Sequence, residues 1–588
     1  MSDPSTVPTP ATPDVCTVEI LIGGQAIPGT LHVQSVTVTR ELNRIPAAVL
    51  QIDDGEASKA SFPASDGDLF APGKAIEIQF GYRSQNTTVF KGTVVKQRLK
   101  VRKNGSTLSV DCYADAVKMT AARKSKYFVN QKDSDIAGAL LDAHGLSNDV
   151  EATRPDLKEV VQYDATDWDF LLCRAEANGQ VVLVGDDKVS VAKPKFGGSP
   201  VLKLLYGATV LELDVEMDAR WQSKGIKAVS WKAADQEAIH ADAAEPSPPS
   251  AGNIAAADLA KVLGDDVDDL FHGGALDEAQ LQAWADARLQ RMRLARLRGR
   301  ARCQGFAGVL PGQVVQIDGI GQRFQGQLYV SAVRHTVAGG NWETDVQFGL
   351  GHETVAETYE LRPLPASGLL PAVAGLQIGI VTQLESDPAG DDRIKCRLPL
   401  VSTSEDGIWA RLATLDAGKN RGTYFRPEIG DEVIVGFLGD DPRYAVVLGQ
   451  CHSGAHPAPE PAKDDNHHKG YVSREKLKLT FDDEKKVIGL ETPAGNKISL
   501  SEDAKGIVLK DQNGNSITLD DSGITIESAK DLVFKAKKDV KLSGTNTEFS
   551  AKSGFKATGT GTVELSGAQT KISGDATTVI KGGIVQIN

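Results

Sequence analysis

Cysteine, methionine and aromatic residues are all scarce in this 588-residue chain: 6 Cys, 4 Met, and Phe, Trp and Tyr at 6% together. Cys16, Cys112, Cys173, Cys303, Cys396 and Cys451 are far apart, with no C-x-x-C and no histidine at ligand spacing, which excludes a disulfide framework and a zinc module. They read as reduced, mostly buried small hydrophobes of a protein folded in the cytoplasm. No apolar run reaches the ~18 residues that a membrane helix needs, and the opening MSDPSTVPTP has neither the basic nor the apolar region of a secretory signal. Excess positive charge is missing too. A net charge of −13 excludes the basic footprint of a nucleic-acid binder. The catalytic signatures G-x-S-x-G, H-E-x-x-H and G-x-x-x-x-G-K-[ST] do not occur.

What is present is glycine, 58 residues, with 41% hydrophobic and 24% charged residues. These proportions suit a folded, turn-rich, mainly β protein, and the length suggests about four domains. Residues 1–14 read as a flexible tail. Short alternating runs such as Ala75–Phe80 and Phe90–Val95, broken at Pro72-Gly73 and Asn104-Gly105, predict a first β-barrel over 15–125. An α/β insert is expected over 126–200. It holds one helix capped by Ser134 and stopped near Gly145, and a second over Trp168–Asn178 with Asp167 as N-cap.

A second barrel is expected over 201–365, interrupted by a mobile acidic loop, 234–275, whose Glu245-Pro-Ser-Pro-Pro-Ser250 segment cannot join a sheet. A helix over Leu276–Leu297 follows, acidic early and basic late. Its Arg288, Arg291, Arg293, Arg296 and Arg298 read more simply as a solvated face than as a binding patch. Five short strands between 376 and 454 suit an OB-type barrel, and Pro457, Pro459 and Pro461 mark a linker over 455–474.

Residues 475–588 carry a repeat. Apolar pairs at i and i+2 recur as Ile498/Leu500, Ile507/Leu509, Ile517/Leu519, Ile524/Ile526, Leu532/Phe534, Val540/Leu542, Val563/Leu565 and Thr578/Ile580, and in the later part glycine follows two residues after the pair. A strand of this length cannot bury its own apolar side chains. Octads are too short for a single-chain β-helix, whose coils need about 20 residues. Three intertwined chains, each giving one face of a triangular prism, would bury the pairs and leave no free strand edge.

Several segments resemble the VgrG-type spikes of contractile injection systems. Gly430–Gly449 (GDEVIVGFLGDDPRYAVVLG) and Asp392–Pro399 (DRIKCRLP) look like that family's OB-domain signature. Val161–Gly179 (VQYDATDWDFLLCRAEANG) is similar to its hub motif, and the octads with the terminal Ile584–Asn588 (IVQIN) to its needle. The resemblance implies tandem hub barrels with an α/β insert, an OB barrel and a triple-stranded β-helix needle, assembled as a homotrimer. The hub would match a hexameric inner tube and baseplate proteins. The needle would puncture an envelope and carry a small PAAR-like tip protein near Ile587 and Asn588. Such a protein is assembled in the bacterial cytoplasm and works in a secreted or extracellular particle. The short 455–474 linker leaves no room for an inserted hydrolase, and no effector is expected after Asn588.

The residues that could suggest chemistry have plainer readings. Asp511–Asn515 looks briefly like a calcium loop, but Ser516 and Ser522 stand where glycine and a bidentate glutamate are needed, so a turn is expected. His452, His456, His467 and His468 fall in the linker. Asp440-Asp441 reads as a turn between barrel strands. Trp409, Tyr424, Phe425, Phe437 and Tyr444, with Arg411, Arg421, Arg426 and Arg443, could line an oligonucleotide groove, although a structural joint fits their place in the chain better. The expected function is therefore a structural spike with no catalytic, metal or cofactor residue and no nucleic-acid partner. The other readings are a tail-associated cell-wall hydrolase and a receptor-binding tail fibre.

Overall fold

Alternation with period two fixes which face of each strand is buried, and the strands of the first half follow it closely. In Val33–Glu41 the inward residues are Val36, Val38 and Arg40, and in Ala47–Asp53 they are Ala48, Leu50 and Ile52. The computed structural model describes residues 15–249 and 251–587; the expected tail 1–14, Ser250 and the terminal Asn588 lie outside the described residues. The fold is mainly β. Two units emerge, one of residues 1–430 with 435–448 and one of 431–434 with 449–588.

In the first unit the strands expected as two barrels form one 13-stranded sheet. The joint is the antiparallel pairing of Ala332–Ala338 with Ser35–Glu41, a contact across nearly 300 residues that no local pattern announces. Two apolar cores flank it. One gathers Leu50, Ile52, Ile78, Phe80 and Phe90, and the other Leu204, Ile317, Val330, Val346 and Phe348.

The insert packs the helices Asp133–Asp142 and Asp167–Ala177 beside the hairpin Arg123–Gln131/Leu157–Thr166, with Phe128 stacked on Phe170 at 5.7 Å. Both helices start earlier than expected. Lys132, not Ser134, is the first cap; the second is Thr166, whose Oγ1 accepts from the Asp169 amide at 3.0 Å. Asp167 is thereby released to accept from Lys124, from His144 at 2.7 Å and from Gln162 at 2.9 Å.

The segment 234–275 departs most from expectation. It contains the strands Glu237–Asp242 and Val267–His272, both paired to Gly225–Lys232, and a short helix, Ala256–Ala260. The inward Ile226 and Ala228 pack on Leu281, Ala285 and Leu289 of the helix Glu278–Leu294. Packing on a helix, not strand propensity, orders these acidic strands. The proline-rich stretch is tethered as well, because Glu245 takes a two-pronged ion pair from Arg293 at 2.6 and 2.9 Å.

That helix begins where Asp277 and Gln280 cap each other. It ends at Leu294, not Leu297, since the chain there enters the strand Leu297–Gln304. Five further strands, Gln377–Gln383, Ile394–Arg397, Ile408–Leu412, Ala445–Gln450 and Glu432–Phe437, close into a barrel around Val381, Ile394, Val433, Val435 and Val447.

In the second unit, seven strands from His468 to Glu527 form an antiparallel meander, each bonded to the next within the chain. It starts inside the stretch expected as a linker, because Tyr471 pairs with Leu479 and extends the apolar pattern. The proximal repeat therefore satisfies its backbone in-chain, where three-chain winding was expected throughout. Residues 528–587 carry no helix or strand and are broken by bends every seven to eight residues, and no strand ladder joins them to another part of the chain among the described residues.

Candidate functional site

The meander places its apolar pairs in two straight columns. One runs Tyr471, Leu479, Leu490, Ile498, Leu509, Ile517, Ile526; the other runs Phe481, Ile488, Leu500, Ile507, Leu519, Ile524. Each member stands opposite the next across a strand pair, so the columns occupy one face. The intervening positions Thr480, Gly489, Ser499, Val508, Thr518 and Thr525 form a mostly polar column on the other face. Leu490 is 45% exposed and Ile526 45%. A contiguous apolar face of this extent is an association surface, since soluble monomers rarely leave one open. Distally the pairs Leu532/Phe534, Val540/Leu542 and Val563/Leu565 are all exposed as well.

A second feature lies in the large sheet. Eight consecutive strands, from Glu212–Met217 at one end to Gln85–Arg102 at the other, alternate in direction. One face is apolar and the opposite face polar. On the polar face Glu212, Asp214 and Glu216 stand against Arg302, Arg300 and Arg298, and Arg302 and Arg300 against Asp345 and Gln347, so charge alternates from strand to strand.

Each end strand is bonded on one side only over part of its length. Among the described residues Glu212–Met217 pairs only with Leu297–Gln304, and 98–102 only with 105–109. The first edge carries Glu212, Asp214 and Glu216; the second carries Arg98, Lys100 and Arg102. These edges went unrecognised in the sequence. The signal was the alternation Lys96-Gln-Arg-Leu-Lys-Val-Arg102, a strand with one cationic face.

The residues considered for chemistry are accounted for locally. Asp511 accepts from the amides of Asn513 and Asn515 at 2.9 and 2.8 Å and from the Asn515 side chain at 2.7 Å. Those bonds, the Asn515 side chain first, draw its pKa down to about 2, and its oxygens serve a turn. Asp441 is held by Arg443, which lowers its pKa. His468 opens the first needle strand and contacts Glu460 and Asp482, and His456 donates its amide to Ser453. In the barrel, Arg421 pairs with Asp416 and Arg426 with Asp392. Trp409 lies under Lys395 and Tyr444 under Arg443.

The basic cluster is not a solvated face. Arg288 reaches Glu357, Arg291 reaches Glu176 at 2.7 Å, Arg298 reaches Glu216 at 2.7 Å, and Arg296 donates to the carbonyls of Ile254 and Ala251. The rigid guanidinium fork makes arginine suited to such internal bracing. Four of the six cysteines are buried, Cys173 is half-buried and Cys451 is exposed. Burial pushes the thiols of Cys112 and Cys303 up to about 12. Among the described residues no group of three or more His, Cys, Asp or Glu could hold a metal ion, and no helix is long and apolar enough to cross a membrane.

Residues 12–339 match the family model described as the Alg8 N-terminal domain. Residues 377–452 match the type VI secretion system/phage-baseplate injector OB domain, and 487–578 the phage baseplate V C-terminal trimerisation domain. The chain is 28% identical over 186 residues to the type VI secretion system spike protein VgrG1b of Pseudomonas aeruginosa, covering 29% of this chain and 24% of that protein. It is 32% identical over 124 residues to VgrG4b of the same organism, covering 20% and 15%. The matched part thus spans about a quarter or less of these curated relatives. Among solved structures, the prophage MuSo2 43 kDa tail protein from Shewanella oneidensis is similar with a TM-score of 0.44 and 13% identity, over 57% of this chain and 98% of that one.

Proposed function

The chain belongs to the Alg8 N-terminal-domain family through residues 12–339, and from its similarity to VgrG-type spike proteins and to the phage-baseplate injector OB and trimerisation domains we propose that three copies form the central spike of a contractile injection machine. The observation that carries this reading is the pair of exposed apolar columns. Three meanders brought face to face would enclose all six columns in one dry prism, each protomer supplying one wall. The match of 487–578 to a trimerisation domain supports three copies.

The hub follows from the free sheet edges. A cyclic assembly needs two different, complementary surfaces on each copy. Here one edge is acidic and the other basic, and an even number of strands lets the antiparallel order continue from copy to copy. Joining Arg98, Lys100 and Arg102 of one protomer beside Glu212, Asp214 and Glu216 of the next would also preserve the strand-by-strand alternation of charge, which cross-strand pairing favours. Such a ring, polar on one face, suits docking to a hexameric inner tube and baseplate, with a separate tip protein at the needle end near Ile587. The chain would act mechanically, without catalysis, as part of a secreted or extracellular particle.

Sedimentation equilibrium of the full chain tests the assembly. A trimer is expected, and a stable monomer would refute the reading.

A further inference from the structure

Charge changes sign along the second unit. Residues 468–527 carry nine Lys and Arg against eleven Asp and Glu; the next sixty residues, 528–587, carry nine lysines against five Asp and Glu. Five of those lysines, Lys530, Lys535, Lys537, Lys538 and Lys541, fall within one twelve-residue band that contains only Asp531 and Asp539 as acids. All five are exposed. The one ion pair seen in the band is a long contact, Lys541 to Asp539 at 3.9 Å, between side chains too solvated to neutralise each other firmly.

A face that serves only solubility mixes both signs, as the proximal half does. In the distal band the cations outnumber the acids, and three copies triple the excess. Lys535, Lys537 and Lys538 are one or two residues apart, at most ~3.8–7 Å between the Cα atoms of successive ones, within the ~8 Å Debye length at physiological salt, so these three act on a ligand together and Lys530 and Lys541 flank them.

We propose that the band 530–541 forms a cationic collar on the needle that binds an anionic lipid surface. The proposal rests on the trimeric reading for its outward orientation: with Leu532/Phe534 and Val540/Leu542 turned to the axis, Lys541 and its neighbours face solvent. Lipid headgroup phosphates fit the site because polybasic segments bind them through charge alone. Single-stranded nucleic acid fits less well, since Phe534 is the only aromatic residue in the band and belongs to an apolar pair, leaving no stacking platform for bases.

The test is co-sedimentation of the full-length protein with vesicles of phosphatidylethanolamine and phosphatidylglycerol, or of phosphatidylcholine alone, with the oligomeric state measured on the same samples. Binding is expected only to the anionic vesicles and should weaken as salt rises. The variant Lys535→Gln/Lys537→Gln/Lys538→Gln should lose at least about tenfold in vesicle affinity while keeping its oligomeric state. Equal binding to both vesicle types, or an unaffected variant, would overturn the collar. So would short DNA that displaces the vesicles at equal concentration, which would mark a general polyanion surface. A monomeric protein that still bound anionic vesicles through these lysines would refute the trimer and retain the collar.

Discussion

Leu509→Asp and Val508→Asp place the same charge on adjacent residues of one needle strand but on opposite faces. Leu509 stands between Ile498 and Ile517 in an apolar column, whereas Val508 stands between Ser499 and Thr518 on the other face. In a trimer closed over the columns, each copy of Leu509→Asp forfeits ~1.5–3 kcal/mol of leucine burial and buries an unpaired carboxylate at a cost of several kcal/mol. Three copies meet in the same layer. The total penalty is on the order of 10 kcal/mol per trimer or more, comparable with the whole stability of a domain. Val508→Asp keeps its charge in water and should shift stability by about 0.5–1 kcal/mol. Thermal melts and sedimentation velocity at one protein concentration read both. Dissociation or a large fall in Tm is expected for Leu509→Asp alone, and equal behaviour of the two variants would refute the facing of the columns.

Hydrogen exchange on the full chain should find the amides of 98–102 and 212–217 protected despite their lack of in-chain partners on one side, and Arg98→Glu/Lys100→Glu should abolish that protection; freely exchanging wild-type edges would count against the ring. His335 is buried against Thr344 and Trp342, and burial, followed by the nearby Arg40, lowers its pKa to about 3. The unfolded chain binds a proton there below ~6.5, so between these values the unfolded state holds more protons, and stability falls as pH drops, by about 1.4 kcal/mol per pH unit per chain. Denaturant melts of His335→Gln should show a shallower loss between pH 6.5 and 4.5, and an unchanged slope would contradict this assignment. Arg293→Met removes the tether of Glu245 and should speed proteolysis within 243–256 severalfold, leaving cleavage elsewhere unchanged.

The features legible in the sequence are those with a local cause. The i, i+2 pairs of the needle, the barrel strands around Val433 and Val447, and the long helix with its acidic start at Asp277 and Glu278 all follow from side chains a few residues apart. The meander was harder to foresee, because the same pairs serve an in-chain ladder up to Glu527 and leave the chain unpaired beyond it; the turn residues Asp511–Asn515 and Asn496 bring successive strands back on themselves, while the distal glycines do not. Long-range partners account for the remaining differences. The acidic segment 234–275 looks unable to fold until Arg293 and the helix surface at Leu281 and Leu289 are supplied. Arg288 and Arg291 of that helix, and Arg298 of the strand after it, look solvated until Glu357, Glu176 and Glu216 arrive from elsewhere in the chain. The joint at 332–338 and 35–41 depends on two strands that both present a polar and an apolar face, a property shared by many others.

A cryo-EM map of the purified full-length protein tests the central claim most directly. The expected result is a threefold axis along the needle with the columns headed by Tyr471 and Phe481 from three copies turned toward it. A single copy whose apolar columns are covered by another part of the same chain, or an assembly with those columns facing solvent, would contradict it.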